Sequence, residues 1–359
     1  MESFITDGLP VKQWYCSALQ IDGQILFANA GSVDAFKDIL EKSVVAWVDF
    51  RTDEYQSDVK YAANQLGFSD ALISSFSTGT RNLYEDLTTE LGIKLPSIQI
   101  RLDQDPIVLE HTTLVLIKEG IILTIHPVEV DRRYARLRRY FIPVLKKIVT
   151  AQTRQDKLAL LLMRIIETNN DRNFEHLREI EEHGDMLNKS LMDPKTPRNL
   201  LGPQIYSMKH GLIIYLDALW GSIDVIRDLR YGDADLITDD EKILERMAIL
   251  AEDVNRQISL AEHLSDVLAS GLEVLQTIYN NQLQVLNNRL ALIVAYLTVI
   301  GTALLVPNTL ATVLGNSAFA MSTGDIPWYL ILLVSSTILA TLFTFWFVRR
   351  AGLLPKKVD

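Results

Sequence analysis

The stretch Leu290–Leu314, LALIVAYLTVIGTALLVPNTLATVL, contains no charged residue, and after a short loop Ile326–Val348, IPWYLILLVSSTILATLFTFWFV, is equally free of charge. Each is long enough to cross a bilayer core, which takes about 20 residues at a rise of about 1.5 Å. On the first, Thr298, Thr302, Thr309, Thr312 and Asn316 recur at steps of three, four and seven, with Leu305 at the position that would divide the longest step. Such steps keep side chains on one helix face, and a polar seam cannot face lipid, which offers it no hydrogen bonds. Threonines in membrane helices also bond to their own backbone or mark helix packing. Four of them in phase with an asparagine favour the other role, a hydroxyl-lined pore made by several copies around an axis.

The flanks set the orientation. Arg349, Arg350, Lys356 and Lys357 follow the second span, Arg289 precedes the first, and the loop 315–325 has no basic residue. Positive charge stays inside, so both termini are expected in the cytoplasm, with the loop outside the plasma membrane. Before the first span, Asn280, Gln284 and Asn287 share a face that leads towards Ala291 and Thr298. Their neutral amides suit either a cation's water shell or contacts between helices.

Further upstream, Met247, Val254, Ala261, Leu268 and Leu275 repeat every seven residues, with Leu250, Leu264 and Ile278 beside them and Gln257 and Gly271 interrupting the second line. This is an imperfect heptad seam. Thr238-Asp239-Asp240-Glu241 reads as a capping box with Thr238 as the N-cap. A helix running unbroken from Asp239 to Leu314 would be about 110 Å long, which suits a stalk feeding a pore. The region 131–237 reads as helical, broken at Asp193-Pro194-Lys195-Thr196-Pro197. Before it, Val44–Phe50, Ser97–Leu102 and the pair Leu114–Ile117 and Ile121–Ile125 around Gly120 read as strands. Asp53–Leu66 and Thr80–Leu91 read as helices between them. The expected fold is an α+β membrane protein: an α/β domain (1–130), a helical segment (131–237), a stalk (238–289), a pore-lining span (290–314), an outer loop (315–325), a second span (326–348) and a basic tail (349–359).

The 359 residues carry a net charge of −10, which argues against nucleic acid as a partner and suits a surface that gathers cations. One cysteine, Cys16, permits no disulfide within the chain, and the first residues lack the basic start and apolar core of a signal peptide. The acidic residues Glu179, Glu182 and Asp185, with Asp253 and Asp266 on the stalk, are candidate cytosolic metal ligands, since hard cations take carboxylate oxygens; a solvated face is the simpler reading. Asp233, Asp235, Asp239 and Asp240 form a similar cluster. Arg132, Arg133, Arg136, Arg138 and Arg139 could meet lipid or nucleotide, or form a salt-bridged surface helix. No Walker loop, GxSxG or HExxH motif occurs, so nothing supports an enzyme.

The layout resembles the CorA-type divalent-cation transporter family over essentially its whole length. Leu297-Thr298-Val299-Ile300-Gly301-Thr302 looks like the family's LTxx(A/G)T pore segment, and Pro307 like the proline midway along it. Asp266-Val267-Leu268 and Tyr279 look like its stalk, with a heptad inserted, and Leu123-Thr124-Ile125-His126 like its closing strand. The resemblance implies a homopentamer in the bilayer that passes Mg²⁺, Co²⁺ or Ni²⁺, with the metal as substrate and cytosolic regulator and no other cofactor.

The same resemblance implies a selectivity entrance at Gly315, Asn316 and Ser317, where the family has Gly-Met-Asn. Below it come pore-lining positions Thr312, Thr309, Asn308, Leu305, Thr302, Thr298, Val294 and Ala291. Leu305 takes the family's apolar gate position, Ala291 stands where the family has a pore asparagine, and Asp325 would attract cations in the outer loop. Two alternatives follow. One is a Zn²⁺ or other transition-metal transporter, with or without proton coupling, against which stands the lack of pore His and Cys. The other is a non-conducting membrane-anchored sensor or scaffold, which has no need of the threonine seam.

Overall fold

The computed structural model describes residues 12–77, 82–101, 107–193, 195–231, 234–315 and 323–350. It divides into two compact units, Met1–Leu272 and Glu273–Asp359. The first is built on a seven-stranded sheet of β1 (Gln13–Gln20), β2 (Ile25–Ala30), β3 (Ser43–Thr52), β4 (Tyr84–Asp86), β5 (Glu90–Arg101), β6 (Ile107–Lys118) and β7 (Ile121–Pro127). Their spatial order is β2-β1-β3-β7-β6-β5-β4. All neighbours are antiparallel except β3 and β7, which pair in parallel from Ala46 opposite Ile121 to Thr52 opposite Pro127.

Alternation along the strands builds the core. Ala46, Val48 and Phe50 of β3 turn to one face of the sheet, with Trp14, Cys16, Leu116, Leu123 and Ile125. There they meet Ala62 and Ala63 of α2 (Tyr55–Gln65) and Leu72, Ile73 and Phe76 of α3 (Asp70–Ser77); the short α1 (Lys37–Glu41) precedes β3. The opposite face of the sheet receives the next helices of the chain. These are α4 (Asp131–Arg139), α5 (Phe141–Ile148), α6 (Arg154–Asn170), α7 (Asn173–Met192) and α8 (Arg198–Tyr231), of which α6 contacts β3, β5 and β7 and α8 lies along β5 and β6.

Two sequence expectations fail here. Thr80–Leu91 is not a helix: among the described residues it contains β4 and the start of β5. Asp86 accepts a hydrogen bond from the Thr88 amide at 2.8 Å, Thr88 turns the chain at φ 70°, and the long pairing of β5 with β6 outweighs local preference. Pro96 is tolerated within β5 because β4 pairs only with Leu91–Ile93, which leaves the edge open at the proline; its carbonyl accepts from Asn169 Nδ2 at 2.7 Å.

The second failure is the cap. The helix α9 (Glu241–Leu314) is capped by Asp240, whose Oδ1 accepts from the Lys242 and Ile243 amides at 3.0 and 3.1 Å, while Thr238 donates to Asp156. A capping box does form, but at the start of α6, between Thr153 and Asp156.

The heptad line is buried as far as Leu275: Met247, Leu250, Val254, Ala261, Leu264, Leu268 and Leu275 are all buried, while Ile278 is half-buried. Both interruptions have a local cause: Gln257 is buried and accepts from Asn173 Nδ2 at 3.0 Å, and a Cβ on Gly271 would lie 3.1 Å from Asn188 Oδ1.

Candidate cation pathway

The first apolar stretch is the C-terminal part of α9, one helix of 74 residues, and the second is α10 (Ile326–Arg350). Both are long and apolar enough to cross a membrane. Within the second unit the shielded positions of the apolar part of α9 include Leu292, Ala295, Val299, Ala303, Val306, Pro307, Leu310, Ala311 and Leu314, with Thr302 beside them. Those of α10 fall on Leu333, Ser336, Thr337, Ala340, Thr344 and Val348.

The polar seam lies on a different face of α9. Ala291, Val294, Thr298, Leu305, Asn308, Thr309 and Thr312 are exposed and Thr302 is half-buried at the margin of the shielded stripe. Leu305, with 67% of its surface open, interrupts the hydroxyls. Each threonine donates its hydroxyl hydrogen to the carbonyl four residues back: Thr298 to Val294 at 2.8 Å, Thr302 to Thr298 at 2.9 Å, Thr309 to Leu305 at 2.7 Å and Thr312 to Asn308 at 2.7 Å. The simpler backbone-bonding role therefore operates at all four. It also has a chemical consequence: the hydrogens are spent, and the outward oxygens can only accept. Pro307 lies inside this helix and cannot donate the bond that position would give the Ala303 carbonyl.

At the end of α9 the Gly315 amide bonds the Ala311 carbonyl at 2.8 Å, and a Cβ there would sit 2.8 Å from the same oxygen, so only glycine closes the helix in this way. Asn316 and Ser317 lie outside the described residues. Asp325, just before α10, accepts from Trp328 Nε1 at 3.3 Å.

The cytosolic candidates are spread over two helices. Glu179, Glu182 and Asp185 sit on α7, where Glu182 pairs with Arg178 at 3.0 Å. Asp253 pairs with Arg256, and Asp266 is exposed on α9. Asp185 lines a cleft of about 120 Å³ with Glu181 and His263, and Asp253 lines one of about 340 Å³ with Glu167 and Asp171. Among the described residues no three His, Cys, Asp or Glu side chains come together as a metal-holding group.

Sequence reading missed a buried polar network in the sheet. Asp49 of β3, with no exposed surface, accepts from Thr124 Oγ1 at 2.5 Å and from Arg138, and His126 Nε2 lies 3.2 Å away. Arg138 also pairs with Asp131 at 2.6 Å and lies over the Tyr15 ring, while Trp47 Nε1 donates to Thr124 at 3.0 Å. Burial alone would raise the Asp49 carboxyl, but His126 and Arg138 outweigh it and hold the group at about 2. The available signal was an aspartate inside the apolar run Val44–Phe50, since a buried charge demands partners.

A family model described as CorA-like Mg²⁺ transporter protein matches residues 42–350. Among curated proteins none matches the chain by sequence at a significant level. Among solved structures, the complete CorA magnesium transporter from Methanocaldococcus jannaschii aligns over 95% of this chain and 98% of its own, at 16% identity and a TM-score of 0.65. The full-length CmaX protein aligns over 96% and 99%, at 16% identity and a TM-score of 0.57. The soluble domain of the Methanocaldococcus jannaschii CorA covers 74% of this chain and 97% of its own, at 15% identity and a TM-score of 0.54. At these identities the likenesses bear on the fold, an α/β unit followed by a long helix and a second apolar helix. Since the family match takes in the sheet from β3 onward, the whole of α9 and all of α10, the chain belongs to the CorA-like Mg²⁺ transporter family.

Proposed function

We propose that this chain is the subunit of a homopentameric, channel-like pathway for divalent cations in the plasma membrane, with Mg²⁺ as its main cargo and both termini in the cytoplasm. The observation that carries the reading is the seam of exposed hydroxyl oxygens whose hydrogens are committed to the helix backbone. Water around a cation points its hydrogens away from the ion. Hydroxyls that only accept hydrogen bonds therefore suit a hydrated cation, while the Asn308 amide among them can accept or donate. Mg²⁺ gives up its water reluctantly and favours such outer-shell contacts. The solved relative from Methanocaldococcus jannaschii is itself a magnesium transporter.

An ion would be drawn by Asp325, meet Gly315, Asn316 and Ser317, and descend past Thr312, Thr309 and Asn308 to Leu305. There an apolar ring opposes passage by dewetting when closed. Thr302, Thr298, Val294 and Ala291 follow. Inward flux is driven by the membrane potential, about 2.3 kcal/mol per charge per 100 mV and so about twice that for a divalent ion.

The test is labelling combined with uptake. Cys16 is buried and its thiol is pushed up to about 12 by that burial, so it adds little background; Cys16→Ala removes the remainder. On that background Thr302→Cys and Thr309→Cys are expected to react with membrane-impermeant thiol reagents, and Leu304→Cys, off the seam, is not. Proteoliposomes are expected to take up Mg²⁺ ahead of Co²⁺, Ni²⁺ and Zn²⁺. Equal labelling on and off the seam, or no metal uptake, would remove the pore.

Cytosolic metal is proposed to favour the closed state by binding it better than the open one. The ligands are proposed to come from more than one copy, since among the described residues no group of three forms. Limited proteolysis of the full chain is expected to slow in millimolar Mg²⁺. Identical cleavage with and without the metal would leave the soluble unit a scaffold.

A further inference from the structure

The arginines of α4 have no part in the pathway. Arg132, Arg136 and Arg139 recur at steps of four and three, hence on one face, and all three are exposed. They line a cleft of about 610 Å³ together with Arg133, Arg172 and Thr168, which also contains two carboxylates, Asp171 and Glu175. Five guanidinium groups against two carboxylates make this a positive site on a chain whose net charge is −10. Arg133 is bonded to the carbonyls of Ile98 and Asn169, and Arg172 pairs with Glu175 at 3.1 Å. Among the described residues, Arg136 and Arg139 make no ion pair.

Tyr140, at the end of α4 and 59% exposed, lines this cleft and is shared with a second one of about 410 Å³. The second cleft has an apolar wall of Pro143, Val144, Ile148, Leu160 and Met163, and Lys147, Arg164, Glu167 and Arg246 also line it. A basic cleft and one with an apolar wall therefore adjoin at an exposed phenol ring. Each volume lies in the range of small-molecule sites.

We propose that these adjoining clefts bind a nucleoside polyphosphate. Its phosphates would take the forked donors of Arg136 and Arg139, which match phosphate oxygens in pairs. Its base would enter the apolar cleft beside Tyr140. Three or four negative charges match the excess of three arginines over carboxylates. The proposal does not depend on the transport reading, because every residue it uses lies in the α/β unit.

The experiment is equilibrium binding of ATP to the full chain in detergent, with inorganic triphosphate as the comparison ligand. Saturable ATP binding is expected, displaced by ADP and weakened by salt. Arg136→Gln and Arg139→Gln, both exposed and outside the core, are each expected to weaken it about tenfold, the effect of one charge-assisted hydrogen bond. Tyr140→Ala should weaken ATP binding and leave triphosphate binding unchanged. Absence of saturable ATP binding, or full affinity in both arginine variants, overturns the site. Triphosphate binding as tightly as ATP would overturn the base pocket and reduce the cleft to a simple anion site. Loss of subunit assembly in the arginine variants without any ATP binding would assign the arginines to contacts between copies.

Discussion

Asp49→Ala is expected to lower the stability of the α/β unit by about 3–5 kcal/mol, the range seen when one partner of a buried ion pair is removed. The alanine would leave Arg138 with only Asp131, strand His126 in a site without solvent, and free the Thr124 hydroxyl that now links Asp49 to Trp47. Urea unfolding followed by tryptophan fluorescence reads the change, because Trp47 is part of the network and Trp14 stacks on Phe50 of the same strand. Asp49→Asn should cost less, since an amide oxygen can still accept from Thr124.

The pH dependence has a defined sign. The folded carboxyl sits at about 2, below its ordinary value of 3.8, so its contribution is complete above about pH 4 and lost as pH falls towards 2. The wild type should weaken through that window, and Asp49→Asn should do so less. A variant as stable as the wild type would show that the network contributes no net stability. Replacing Asp49 and Arg138 together by apolar residues should recover part of the loss, because the cost lies mainly in the orphaned charge.

Thr309→Lys is expected to abolish divalent-cation uptake. At about 8 Å in water-like dielectric, one lysine repels a divalent ion by about 1 kcal/mol, so in the proposed pentamer five copies would add about 5 kcal/mol, more than a thousandfold in occupancy. Thr309→Asp places the opposite charge at the same point and should retain or strengthen cation entry. The pair separates electrostatics from misfolding, since both variants put a charge into the same helix face. Uptake in proteoliposomes decides it, and equal uptake by both variants would mean that Thr309 does not face the ion.

Much of this architecture could be read from residue spacing. The two charge-free runs, the threonine steps and the heptad line through Met247 and Val254 all express helical periodicity, which acts locally and leaves a direct trace in sequence. Gln257 and Gly271, which blurred that line, are explained by Asn173 and Asn188 on another helix, and no spacing rule along one helix can foresee such partners. The same holds for Thr80–Leu91, where strand pairing overrode local preference. It holds again for the α9 cap, which Asp240 supplies while Thr238 donates to Asp156 on α6 and accepts from the Asp240 amide at 2.9 Å. β1 and β2 went unread because no residue of β2 is buried and β1 is buried along almost its whole length, so neither carries a clear alternation. In the pathway, the seam was legible as a pattern, while the use of its hydroxyl hydrogens was visible only once the helix backbone was in place.

The central position of β7 governs how the sheet is completed during synthesis. β7 is the last strand to be made, yet it lies between β3 and β6. Until residue 127 has emerged, the nascent chain can form only two partial sheets, β2-β1-β3 and β6-β5-β4, each with an open edge that the other cannot close. Such unpaired edges invite pairing with other chains, so this interval is when a translating polypeptide is most exposed to aggregation. Once β7 inserts, both edges close together. At about 5–20 residues per second, roughly ten seconds or more then pass before the first apolar span is synthesised.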